Sequence, residues 1–405
     1  MSAMEAPTVV FGMNSTFAVR HFLPEILLMT RNLGMAPVVL APVENGKIPD
    51  FGSGIGFRSI PIKREISPLH DILTLWKLWC TLRAIRPAIT NMSTPKMGLL
   101  GGIAAFLAGV PHRIYTLRGL RYETTCSWKR ALLMACERIA CLTAHHVICI
   151  SRSVKDTAMR DGLADLQKVV LLGDRASEGI GLPIRSCPGG RSESDFRKQL
   201  GIPPGGEVIG FVGRLTRDKG IEELVECCRN LHSGGREVHL LLLGAFESGD
   251  PVEPATAAWI RSNPYVHWVG YVENPAPYYP LMDLFVFPTY REGLSRVLLE
   301  AASAGKPVVS TRTTGVVDVV LEGITGILVP PGDAGALAQA VARLLDDRDL
   351  AIRMGEAGRE LVREHFDNSV YLNRLGNMLR CLVSDRPLAV GEIEKPSCTH
   401  SACSL

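Results

Sequence analysis

The chain has 405 residues, 46% hydrophobic and 21% charged, a length and apolar content that suit two domains with a buried core each. Its net charge of +3 hides a split: residues 1–185 carry 22 Lys+Arg against 13 Asp+Glu (+9), and the rest carry 22 against 28 (−6). Eleven cysteines without C-x-x-C spacing exclude a disulfide framework and a zinc site, and no zinc-finger spacing, RNA-binding signature or long Lys/Arg run points to nucleic acid. The basic half is read as meeting lipid or a diphosphate.

In chain order, Thr8–Met13 predicts a strand, and Asn14, Ser15 and Thr16 a turn into a helix over Val19–Leu33 that Ser15 or Thr16 can cap. No charged region precedes an apolar core at the N-terminus, so no secretory signal is read and the cytosol is the expected compartment. Strands follow at 38–41, 57–61 and 88–91. Gly52, Gly54 and Gly56 lack the G-x-G-x-x-G spacing of a dinucleotide site. The helix predicted over 66–85 carries Leu73, Trp76, Leu78, Trp79 and Leu82, too wide a stripe for one buried face. Packing inside the domain is the expectation there, with a membrane-interface role for Trp76 and Trp79 as the alternative.

The apolar run Met97–Val110 is too short to span a bilayer and is read as a buried helix, with Ser93, Thr94 and Lys96 ahead of it. A strand at 113–117 leads into T-L-R-G-L-R-Y-E, which places Arg118 and Arg121 at a strand's carboxyl end, where ligands of α/β proteins gather. Both arginines are read either as anion contacts or as solvated loop charges. His145 and His146 open the strand at 147–150 and have no third ligand at metal spacing, so they are read as structural. A last strand of this half follows at 169–172, then a linker at 185–194.

Strands at 208–212, 239–243, 266–269, 284–287 and 307–310 then alternate with helices, which implies a parallel sheet with right-handed crossovers. The first ends in G-R-L-T-R-D-K-G, offering Arg214 and Lys219 around a tight turn, a fork and a point charge suited to a diphosphate. From Tyr290 to Ser310 the chain packs a strand end, a glycine turn, a helix start and the next strand into twenty-one residues. The amides of Gly293, Leu294 and Ser295 stand at that helix start, where an anionic ligand is received, and Glu292 and Glu300 can accept hydrogen bonds from hydroxyls. Asp347-x-Asp349 lies between predicted helices and is read as helix capping. Helices at 334–345, 350–364 and 368–383 precede a tail, 386–405, expected to be disordered.

The ordered set G-R-L-x-x-x-K-G, L-L-L-G, G-Y-V, E-G-L-S-R-V-L-L-E-A and A-G-K-P-V-V-S resembles the donor half of the retaining family 4 glycosyltransferases. The resemblance implies an α/β GT-B fold: two Rossmann-like parallel-sheet domains facing across a cleft, with a C-terminal helix crossing back to the first. On that reading residues 1–185, with the helix at about 366–385, bind the acceptor, and 186–365 bind a nucleoside-diphosphate sugar, with UDP the expected carrier. It also implies Glu300 on the ribose hydroxyls, Glu292 on the transferred sugar, and Gly270, Tyr271 and Val272 at the base. Arg214 and Lys219 fall on the leaving diphosphate, with no metal and no cofactor.

S-T-P-K-M-G-L-L-G-G is similar to a stretch of members that act on lipid-linked acceptors, which puts Lys96 at an acceptor phosphate and implies peripheral contact with the inner face of the cytoplasmic membrane. Ser15 and Thr16 occupy the family's first turn without its usual glycines. Arg118 stands where many members have a His, and Glu178 where they have an Asn. The expected function is sugar transfer to a hydroxyl of a glycan or a polyprenyl-diphosphate-linked sugar in envelope polysaccharide assembly. A nucleotide-sugar epimerase and a non-catalytic sugar-nucleotide binder are the alternatives.

Overall fold

A computed structural model describes residues 6–43, 51–63, 67–181 and 192–386. Two compact units divide the chain: residues up to Glu178 together with those from Asn368 onward, and Gly179–Asp367. The first holds strands β1 (Thr8–Gly12), β2 (Ala36–Ala41), β3 (Gly56–Ser59), β4 (Ile89–Ser93), β5 (His112–Leu117), β6 (His146–Cys149) and β7 (Val169–Val170). They form one sheet in the order β3-β2-β1-β4-β5-β6-β7. The second holds β8 (Glu207–Val212), β9 (Val238–Leu243), β10 (Val266–Gly270), β11 (Leu284–Phe287), β12 (Val308–Thr311) and β13 (Gly326–Val329), ordered β10-β9-β8-β11-β12-β13.

Every named pairing is parallel, with Val10 opposite both Val38 and Thr90, and Ile209 opposite both Leu240 and Leu284. Runs such as V-V-F and L-L-L-L are apolar at consecutive positions because helices cover both faces of each sheet. Both sheets therefore follow the doubly wound order, reversing direction between β1 and β4 and between β8 and β11. The helix Asn368–Val383 inserts Tyr371, Leu375, Met378 and Leu379 into the core built on Val9, Phe11 and Leu27, so the end of the chain belongs to the first unit.

The expected single helix at 19–33 is two, Thr16–Phe22 and Pro24–Asn32, because Pro24 has no N–H to continue the first and starts the second. The last strand of the first unit stops at Val170, since the Leu172 amide donates to Ser177 Oγ instead of a strand. Strand β13 and the helix Pro254–Ser262 add to the expected elements. The wide stripe resolves into two faces of the helix Pro68–Ile85: Leu78 and Leu82 are buried, Trp79 is half-buried, and Leu73 and Trp76 are exposed. Interior packing thus fails for Trp76. Asp347 accepts from the Leu350 amide at 2.8 Å and caps the helix Arg348–His365. Most of the linker and nearly all of the tail lie outside the described residues, although a helix capped by Ser192 already begins at Glu193.

Beneath the helix Ser127–Thr143, Glu137 is buried and accepts a 2.6 Å hydrogen bond from Tyr115. Burial pushes its pKa up to about 7, and the Tyr115 bond only partly opposes this. Below the unfolded value near 4.5 the carboxyl is neutral in both states. As pH rises through about 7 the native state must hold a buried charge, and stability is lost. Glu137→Gln is therefore expected to raise the unfolding free energy at pH 8 by up to about 3 kcal/mol and to change it little at pH 4. Urea titrations at the two pH values check this.

Candidate active site

In a doubly wound sheet, ligands collect beyond the carboxyl ends of the strands that flank the reversal. In the second unit those strands are β8 and β11, and the segments leaving them are 213–220 and 288–295. Residues Arg217–Lys219 form a 3-10 turn closed by Gly220 at φ +69°, where an added Cβ would lie 2.0 Å from the Pro288 carbonyl oxygen. Only glycine lets the two segments touch there. Gly315, at φ +79°, supports the other side, since a Cβ there would meet the Gly293 carbonyl at 2.5 Å.

This contact buries most of Lys219 and directs its ammonium onto Glu292 Oε1 at 2.7 Å, the Arg291 carbonyl at 3.2 Å and Thr289 Oγ1 at 3.5 Å. Asp218 binds Arg214 Nη2 at 3.4 Å and Arg291 Nη2 at 3.3 Å, and accepts from the Thr216 hydroxyl at 2.6 Å. Burial pushes the Asp218 carboxyl up, but Lys219, Thr216, Arg214 and Arg291 together hold it below its ordinary value. Arg214 also donates to Glu247 at 2.9 Å. Three cations, Arg214, Lys219 and Arg291, are thus interleaved with three acids.

Beside them the helix Arg296–Ser303 begins without a side-chain cap, and the amides of Gly293, Leu294 and Ser295 have no acceptor among the described residues. They form a donor set suited to an anion. The structure therefore brings Arg214, Lys219, Glu292 and this turn together. Glu300 stands on the same helix with a different partner, the Tyr279 hydroxyl at 2.8 Å. Burial raises its pKa, opposed in part by that bond and by Arg296. Gly270, Tyr271 and Val272 leave β10, two strands from β8. Gly270 takes φ +84° and accepts from the Gly244 amide at 2.8 Å, and Tyr271 is exposed.

In the first unit the reversal lies between β1 and β4. Ser15 caps the helix Thr16–Phe22 through the Ala18 amide at 3.1 Å, and the Thr16 hydroxyl donates to the Pro42 carbonyl. Lys96 is not a free helix-start lysine: its ammonium meets Asp71 at 2.7 Å. Thr94, just before it, is held at φ +74°, an unfavourable region for a branched residue. Arg118 is not a solvated loop charge. It is 9% exposed, lies 4.3 Å from the Phe22 ring centre and pairs with Glu178 at 2.5 Å, so two of the positions that depart from the family pattern meet each other. Arg121 sits in the exposed 3-10 turn Arg121–Thr124. His145 takes a 2.8 Å bond with Arg113, a structural contact.

Sequence reading missed Asp218, Arg291 and Tyr279. The i,i+4 spacing of Arg214 and Asp218 was a readable signal for the first. Tyr279 reaches Glu300 from a separate 3-10 segment, Ala276–Leu281, and carried none. Among the described residues, no group of three or more His, Cys, Asp or Glu is placed to hold a metal ion.

Residues 206–347 match the family described as glycosyl transferases group 1, and residues 20–173 match the glycosyl transferase 4-like domain. The capsular polysaccharide biosynthesis glycosyltransferase CapM of Staphylococcus aureus is 36% identical over 326 residues, 80% of this chain and 85% of that one. The chain belongs to the group 1 glycosyltransferases. Another relative, the 2-deoxystreptamine glucosyltransferase of Streptomyces kanamyceticus, is 29% identical over 66% of this glycosyltransferase and 70% of its own length.

Two solved structures share the fold of the glycosyltransferase. Sucrose-phosphate synthase from Thermosynechococcus elongatus has a TM-score of 0.77 at 20% identity, covering 94% of this chain and 100% of that one. Anabaena Alr3699/HepE, solved in complex with UDP and glucose, has a TM-score of 0.72 at 19% identity, covering 92% and 99%. The expected fold of two Rossmann-like units of GT-B type therefore holds.

Proposed function

We propose that this glycosyltransferase moves a sugar from a UDP-sugar to a hydroxyl of a glycan or polyprenyl-diphosphate-linked acceptor in polysaccharide biosynthesis, with retention at the anomeric carbon. The observation that carries the donor site is the seating of Lys219 against Glu292 beside the unpaired amides of Gly293–Ser295 at the sheet reversal. A diphosphate arriving there meets Arg214, Lys219 and the amides, which are oriented before charge develops on the leaving group, with no metal in the scheme. It competes with Glu292 for Lys219 and so releases the carboxylate to accept hydroxyls of the transferred sugar. Glu300 takes the ribose hydroxyls, and Gly270, Tyr271 and Val272 take the base.

In the step itself the bond from the anomeric carbon to the phosphate oxygen breaks, and the acceptor oxygen bonds to the same face. The acceptor's proton passes to the leaving diphosphate. UDP is favoured by the UDP complex of the Anabaena neighbour, and the pathway by the capsular polysaccharide role of the staphylococcal relative. The acceptor falls to the first unit, with Arg121 as its exposed charged contact, while Lys96 and Arg118 reach an anion only by leaving Asp71 and Glu178. A lipid-linked acceptor places the reaction at the cytosolic face of a membrane.

The test is a thermal-shift screen of nucleotide sugars, followed by NMR of the product made with a polyprenyl-diphosphate-sugar acceptor. Stabilisation of several degrees by UDP-sugars is expected at saturating concentration, together with an α-linked product from an α-linked donor. An inverted linkage, or indifference to every UDP-sugar, overturns the reading.

A further inference from the structure

A carboxylate that is to receive two hydroxyls needs a fixed orientation, and in Glu300 one group supplies it. The Tyr279 hydroxyl donates to Glu300 Oε2 at 2.8 Å, while Oε1 has no hydrogen-bond partner among the described residues. Tyr279 is fully buried, and its ring packs edge-on against Phe285 of β11 with the centres 5.8 Å apart, which leaves the hydroxyl little freedom of direction. Burial and the neighbouring carboxylate both push the phenol pKa well up, so Tyr279 remains a donor across the working pH range.

Tyr279 is held in its turn. Its 3-10 segment, Ala276–Leu281, contains Pro277 and Pro280, which have no N–H to tie the segment to itself. Cations meet the two carbonyls that follow the tyrosine: Lys306, just before β12, donates to Pro280 at 3.0 Å, and Arg197, on the helix Glu193–Gln199, donates to Leu281 at 2.7 Å. Beside Arg197, the Phe196 ring packs on Tyr278 with centres 5.1 Å apart. Both cations are partly withdrawn from water, since the Arg197 side chain is 16% exposed and burial pushes the Lys306 ammonium pKa down. Hydrogen bonds from charged donors are the stronger kind, and here two of them converge on one short segment.

We propose that Tyr279 is a positioning residue for the donor ribose: by donating to Oε2 it fixes the Glu300 side chain so that Oε1 and the second lone pair of Oε2 receive the ribose hydroxyls, with Lys306 and Arg197 fixing Tyr279. The inference rests on the proposed placement of the ribose at Glu300. Its consequence is selectivity, because a buried carboxylate held in one orientation is left short of donors when a deoxynucleotide replaces a ribonucleotide. The other charged groups near Glu300 are Arg296 on its own helix, Arg359, which reaches the Ser303 and Ala304 carbonyls from the helix Arg348–His365, and Lys306. The 3-10 segment brings only tyrosines, and β11 and β12 bring no ionisable group. Of all these, Tyr279 is the one hydrogen-bonded to the carboxylate.

The test is isothermal titration of the full chain with UDP and with 2′,3′-dideoxy-UDP across pH 4.5–8, in wild type, Tyr279→Phe, Glu300→Gln and the double variant. Tyr279→Phe keeps the buried ring and is expected to keep the wild-type circular dichroism spectrum. It is expected to weaken UDP about tenfold at pH 8 and to change the dideoxy analogue by less than about twofold. The acid limb of UDP binding should begin at higher pH than in wild type, because the bond that opposes the effect of burial on Glu300 is gone. Added to Glu300→Gln, the same substitution should cost less than about twofold, as expected of two residues acting as one unit. Lys306→Met, which frees the Pro280 carbonyl, should weaken UDP and spare the dideoxy analogue in the same way, and it decides if Tyr279→Phe fails to fold. Wild-type protein that binds the two nucleotides alike would overturn the placement of the ribose and this inference with it. Wild-type protein that tells them apart, with the same discrimination and the same acid limb in folded Tyr279→Phe, would overturn this inference alone.

Discussion

Replacing Lys219 with alanine is expected to lower kcat/KM for the nucleotide sugar by about 10²- to 10³-fold, the size of effect seen when one preorganised group facing a developing oxyanion is removed. The geometry makes this residue hard to replace. Its ammonium satisfies a carboxylate, a carbonyl and a hydroxyl in a site where the side chain is 11% exposed. That seat exists only because Gly220 lets the 3-10 turn press on Pro288. Alanine leaves Glu292 without its cation and the diphosphate without its nearest charge. Arginine brings a planar fork into a seat built for a point charge, so Lys219→Arg is expected to recover less than a tenth of the loss in rate. Arg214→Ala, which leaves Lys219 in place, should cost less. Steady-state kinetics with circular dichroism of each variant check the order, and wild-type rates in Lys219→Ala would remove the leaving-group role.

Glu300→Gln is expected to raise the KM for the donor by roughly 10- to 100-fold with a smaller change in kcat, because a charged acceptor for two hydroxyls becomes a neutral one. UDP, which keeps the ribose, should lose affinity by the same factor, whereas a 2′,3′-dideoxy analogue should bind wild type and variant alike. The sign of the pH dependence follows from burial, which raises the Glu300 pKa against the opposing Tyr279 bond and Arg296. Donor affinity should be full above that raised value and fall as pH drops through it, earlier on the way down than for an ordinary carboxylate. In Glu300→Gln this acid limb should vanish. Isothermal titration with UDP across pH 4.5–8 reads both effects, and a limb that persists in the variant would assign the titration to another group.

The fold was largely legible because its signals are local. Apolar runs of four to six residues separated by helical periodicity can only become parallel strands with covering helices, whereas the helix boundaries at Pro24 and Ser192 were missed, although a proline and a serine are both ordinary boundary residues. The errors came where a local pattern had two physical outcomes. The stripe on Pro68–Ile85 was wide because it served two faces, and periodicity does not tell an inner apolar face from an outer one. Lys96 and Arg118 were visible as charges, but their partners Asp71 and Glu178 lie 25 and 60 residues away. No spacing rule joins such pairs.

By itself the sequence determined the chemistry available: a basic first half, an Arg and a Lys on one glycine turn, two glutamates and three amides at a helix start, all in an α/β alternation that requires parallel sheets. Those are properties of residue type and near-neighbour spacing, which a linear string carries completely. Only the tertiary structure decided that β8 and β11 lie side by side, so that Lys219 reaches Glu292 across 73 residues and Asp218 gathers Arg214 and Arg291. It also decided that Arg118 and Glu178 neutralise each other and that Trp76 faces outward. The physical reason is the same in each case: an ion pair or a buried face is fixed by which strands and helices pack together, and that is settled by the cooperative burial of two cores rather than by any one segment.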